Sequence, residues 1–121
     1  MYRIRSIIKG LKNLWKWRKP IYNDCDWDYW FIYQILKTKL EFTADHLEKH
    51  GIHENKDRDI AQIREVLELI DIVQNEKIID EVLSSDAEWT KDTFKEVDKK
   101  HNAAKKELFK KLHDGIDHWW D

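Results

Sequence analysis

KDRDIAQIREVLELIDIVQN, residues 56–75, is the stretch whose reading decides the fold. Ile60, Ile63, Leu67, Ile70 and Val73 return at intervals of three and four, the period of one helix face. The spacing predicts a helix over Lys56–Asn75, and its neighbours read the same way. Upstream, Tyr29, Ile32, Tyr33, Leu36, Leu40, Thr43 and Leu47 form a stripe over Asp26–His50, widened by Phe31, Ile35 and Phe42. Gly51 follows as a stop, since glycine accepts the left-handed conformation at a helix end. Downstream, Glu76–Ser84 is a looser apolar stretch with Ile78, Ile79, Val82 and Leu83. Ser85-Asp86-Ala87-Glu88 then has the form of a capping box opening a long helix. Phe94, Val97, His101, Ala104, Leu108 and Leu112 carry that helix toward Gly115.

At the other end, Ile4, Ile7, Ile8, Leu11, Leu14 and Trp15 make one apolar stripe, with the bases expected on the opposite face. Pro20 is expected to end or redirect this segment, because its ring disfavours helical geometry at Lys19. Residues 21–26 are a connector in which Asn23, Asp24 or Asp26 can cap the next helix. The expected architecture is all-α. A basic amphipathic helix at 1–19 precedes a compact bundle at 20–121, with four to five helices in all.

Composition agrees. Three glycines and one proline in 121 residues are too few turn-formers for a sandwich or barrel. One cysteine allows neither a disulfide framework nor a cysteine-rich zinc site. No apolar run reaches the length of a membrane span and no signal peptide is evident, so a cytoplasmic chain is expected. The net charge of −2 conceals an asymmetry. Residues 1–20 hold seven bases and no acid, while the remaining 101 hold 15 bases and 24 acids, net −9. A basic arm on an acidic body suits nucleic acid, a membrane surface, its own body or a neighbouring subunit. An apolar first helix and seven tryptophans favour burial between subunits, so a homo-oligomer is expected.

The residue types that carry chemistry point to binding. His46 and His50 share a helix face, with His53 just beyond, but Leu47 stands where a zinc hydrolase needs its glutamate. Cys25 lies between Asp24 and Asp26, where carboxylates disfavour a thiolate. The isolated glycines form no phosphate loop. No catalytic residue, metal site or cofactor is expected. Trp27, Tyr29, Trp30, Phe31 and Tyr33 crowd seven residues, and Trp119-Trp120 lie near the end. Such rings anchor interfaces and stack on bases. Arg58 and Arg64, six apart, do not share a face. Arg64 falls near the apolar side and needs a partner: a carboxylate from Asp28 or Asp121, or a phosphate.

Asp26-Trp27-Asp28-Tyr29 followed by Lys39-Leu40-Glu41 resembles a family of small tailed-bacteriophage proteins. The likeness continues through Leu14-Trp15-Lys16-Trp17, Asp59-Ile60-Ala61-Gln62-Ile63-Arg64, Leu108-Phe109 with Leu112-His113, and Trp119-Trp120-Asp121. Where that family carries methionine after its Lys-Leu-Glu, this chain has Phe42-Thr43-Ala44. The resemblance implies expression in the host cytoplasm and a counter-defence role. It implies a sponge that sequesters cyclic nucleotide immune signals without cleaving them. Trp27, Tyr29, Lys39, Arg58, Arg64, Trp119 and Trp120 are the residues expected to bind such a ligand, aromatics stacking and cations holding phosphate. The alternatives are an inhibitor that blocks a host enzyme, and a nucleic-acid accessory protein using the basic arm.

Overall fold

The computed structural model describes residues 2–52, 54–84 and 89–119. The chain is all-α: five helices and one 3-10 turn, with no strand among the described residues. They are α1 (Tyr2–Tyr22), α2 (Tyr29–His50), α3 (Lys56–Gln74), α4 (Lys77–Leu83) and α5 (Lys91–Gly115), the turn being Ile116–His118. The chain divides into two units, residues 1–38 and 39–121, so that the division falls inside α2.

In the first unit α1 buries no residue. It runs through Pro20 instead of ending there. The proline sits in the last turn and lacks an N–H there, and Asn23 donates to the Lys19 carbonyl from both its backbone (3.1 Å) and its side chain (3.0 Å), satisfying one of the carbonyls left over at the helix end. The connector is 23–28, and α2 starts three residues later than expected. Asp28 is the residue that caps it, its Oδ1 accepting from the Trp30 backbone N–H at 2.9 Å. In this half of α2 the expected stripe is not core: Tyr29 and Ile32 are exposed.

The second unit holds the core. Leu40, Ala44 and Leu47 from α2 are buried, as are Ile63, Val66, Ile70 and Val73 from α3, and Val97, Leu108 and Leu112 from α5. Helices α3 and α5 run antiparallel, since Gln62 reaches Trp119 while Glu65 reaches Lys111. Gly51 does follow α2, but not in the left-handed conformation. Space is the reason: a Cβ there would lie 2.5 Å from the Leu47 carbonyl oxygen and 2.7 Å from the Lys56 side chain. Helix α4 is one short segment entered through Glu76 at φ 49°. The capping box expected at Ser85–Glu88 lies outside the described residues. Helix α5 opens at Lys91 with a box of its own, Thr90 and Thr93 exchanging backbone-to-side-chain bonds of 3.3 Å. Phe94 leaves the expected stripe, exposed and packed on Trp89 at a centroid distance of 4.7 Å.

Candidate functional site

The second unit contains a cavity of about 310 Å³ where α3 meets the end of α5, lined by Gln62, Glu65, Lys111, Asp114, Gly115 and Trp119. Local chain chemistry builds it. The 3-10 turn after Gly115 folds the chain back, and the Trp119 ring lands where a Cβ on residue 115 would be, 2.6 Å away. Only glycine allows that approach. The buried Trp119 indole then donates its Nε1–H to Gln62 Oε1 at 3.1 Å. Lys111 Nζ donates to Glu65 Oε2 at 2.8 Å, and this bond together with the carboxylate charge raises the ammonium pKa above its ordinary value.

The lining carries two carboxylates against one ammonium, so its field disfavours an anion. It also contains no hydroxyl, thiol or imidazole. What it offers is a patch of hydrogen-bonding groups beside an indole edge.

Of the residues expected to bind a nucleotide, Trp27 and Tyr29 belong to the first unit and Lys39, Arg58, Arg64 and Trp119 to the second. Arg64 is not on a buried face: it is half-exposed and held by two carboxylates of α2, Glu48 at 3.1 Å and Asp45 at 3.4 Å. The Glu48 bond is the main reason its guanidinium pKa is raised. Its ion-pair partners are therefore acids of α2, and Asp121 lies outside the described residues. The expectation failed because Asp45 and Glu48 reach Arg64 through helix pairing, which spacing within one helix cannot reveal. Arg58, in the first turn of α3, lies 3.4 Å from the buried Asp59 carboxylate. Trp119 is core, its indole edge already bonded. Lys39 is exposed on α2. Trp120 lies outside the described residues. Trp27 (87%) and Tyr29 (57%) are exposed, Tyr29 edge-on to Tyr33 at 6.3 Å. The Tyr33 hydroxyl pKa is raised, by burial first and then by Tyr29. The His46 and His50 rings lie 5.3 Å apart and are tilted 47° to each other, and among the described residues no group of three potential metal ligands gathers.

The more extensive surface is α1. Its stripe, Ile4, Ile7, Ile8, Leu11, Leu14 and Trp15, is exposed throughout. The bases are not confined to the opposite face, since Lys12 borders Ile8. Arg5, Lys9, Lys12 and Lys16 line one shallow depression of about 380 Å³ together with Ile8 and Asn13, so cations and hydrocarbon lie side by side. Gln62, Glu65 and Lys111 were not legible as a group, because Glu65 and Lys111 are 46 positions apart and meet only through helix pairing. No protein-family model, curated protein or solved structure matches the chain.

Proposed function

We propose that this chain works by binding, and that α1 is the element through which it meets an anionic partner. One observation carries the reading: a 21-residue helix with seven bases and no acid buries none of its side chains. Exposed apolar area of this extent marks an interaction surface. The one-sided charge supplies long-range attraction to a partner of opposite sign. The α3–α5 cavity competes poorly for that role, its own charges being mostly acidic.

The test is salt-dependent binding of the full chain to two anionic probes, duplex DNA and phosphatidylglycerol vesicles. Lys9→Glu, Lys12→Glu and Lys16→Glu combined should abolish whichever binding is seen. The same reversal at the exposed Lys95, Lys99 and Lys106 of α5 should leave it within about threefold, as screened surface charges act locally. Equal loss from both sets, or no binding to either probe at micromolar protein, overturns the reading.

A second reading follows from the exposure of Trp27 and Tyr29: sequestration of a cyclic nucleotide signal, the counter-defence role that the phage-family resemblance implies. Stacking on one such ring contributes about 1–3 kcal/mol. Calorimetry with cyclic di- and trinucleotides decides it. Binding that Trp27→Ala weakens supports sequestration, and no heat from any of them removes it.

A further inference from the structure

Helix α1 carries an ordered pattern, not merely an excess of charge. Arg5, Lys9, Lys12, Lys16 and Lys19 recur at i, i+4, i+7, i+11 and i+14, which confines them to about 80° of arc. The six apolar residues of the stripe occupy an adjoining arc of about 120°, and the two arcs meet where Ile8 and Trp15 border Lys12 and Lys19. Tyr22 extends the apolar arc by one further turn and is 89% exposed. The one base inside that arc, Arg18, does not break it. Its guanidinium lies over the Trp15 ring, 3.7 Å from the centroid, and donates to the Trp15 carbonyl at 2.7 Å. A partner must therefore accept a row of cations and a strip of hydrocarbon side by side along about 20 Å of helix.

We propose that α1 is an in-plane anchor for a membrane surface rich in anionic lipid. This rests on the reading of α1 as the contact element and names its partner. A bilayer interface supplies both requirements at once: headgroup phosphates for the row and the acyl boundary for the stripe. Nucleic acid would neutralise the bases and leave six apolar side chains in water. A second α1 brings seven more bases and no acid to pair with them. The groove of the second unit lined by Glu65, Glu68, Glu107 and Lys111 offers two apolar residues, Leu69 and Ile72, against the six of the stripe. The helix does not cross the bilayer: no described helix is long and apolar enough. The remainder of the chain, net −9, is repelled by the same lipid, so α1 makes the contact alone.

Flotation of the full chain with vesicles tests this, using phosphatidylcholine alone and phosphatidylcholine mixed with phosphatidylglycerol. Each cation near an anionic surface strengthens partition about fivefold. The chain should float with the mixed vesicles and not with phosphatidylcholine alone. Leu11→Glu, and separately Lys12→Glu with Lys16→Glu, should each reduce that binding at least tenfold, with circular dichroism unchanged. Equal binding to both vesicle types, or to neither, overturns the lipid assignment. Two outcomes would overturn it while keeping α1 as the contact element. One is duplex-DNA binding that the lysine reversals abolish and Leu11→Glu spares. The other is a dimer that Leu11→Glu dissociates, without vesicle binding. Loss of none of these activities in any α1 variant removes both inferences together.

Discussion

Arg64 shows how much a residue's partner matters to its energy. A guanidinium sealed with a buried carboxylate would cost roughly 3–5 kcal/mol to remove. Here both carboxylates and the guanidinium are about half-exposed, so solvent screens the network. Arg64→Ala should therefore lower stability by only about 0.5–1 kcal/mol in urea unfolding. Trp119 is the opposite case, buried against Gly115 with its one donor bonded to Gln62. Trp119→Ala should cost about 3–5 kcal/mol, and Trp119→Phe, which keeps most of the volume, about 1–2 kcal/mol. A smaller loss for Trp119→Ala than for Arg64→Ala would contradict this ordering. Lys111 and Tyr33 set the pH response. Both have raised pKa values in the folded chain, Lys111 through Glu65 and Tyr33 through burial. A raised folded value favours folding while the group stays protonated, and that contribution disappears as pH climbs through it. Neither group costs stability between pH 7 and 9, and both do so above about pH 10. Glu65→Gln should remove the Lys111 share and shallow the alkaline fall in melting temperature. A steeper fall would refute the assignment.

At the scale of elements, the start of α5 rests on the reciprocal Thr90–Thr93 box. Thr90→Ala should cost about 0.5–2 kcal/mol, while Thr90→Ser should cost far less because serine caps as well. Loss of the same size for both would mean that the box contributes nothing. Such local chemistry explains what was legible beforehand. Apolar spacing marks α1, α2, α3 and α5, because a continuous helix face returns every three to four residues, whereas α4 occupies what reads only as a looser apolar stretch. Boundaries were harder, since several capping residues compete. Asp28 caps α2 although Asp24 and Asp26 are of equal quality, and Thr90 caps α5 five residues after Ser85. Pro20 does not end α1: it lacks an N–H two residues before the helix stops, and Asn23 bonds the Lys19 carbonyl beyond it. The site was barely legible. Residues of α3 and α5 meet through the pairing of two helices, and nothing local to either records which residue faces which.

At the scale of the whole chain, stability and contact are assigned to different parts. Among the described residues every buried apolar one lies in residues 39–121, whereas α1 contributes none. Substitutions on the α1 stripe should therefore alter binding without unfolding the chain. Leu11→Glu is expected to change unfolding free energy by less than about 0.5 kcal/mol, the usual range for surface positions. A loss above about 2 kcal/mol would show that the stripe is core after all.

The claim that α1 is the anchor to an anionic membrane surface is tested most directly by an environment-sensitive fluorophore at Ile8→Cys in a Cys25→Ser chain. The control carries the same label at Lys99→Cys on α5. Addition of phosphatidylglycerol-containing vesicles should shift emission at position 8 to shorter wavelength, as the stripe leaves water, and leave position 99 unchanged. No shift at position 8, or an equal shift at both positions, would contradict the account.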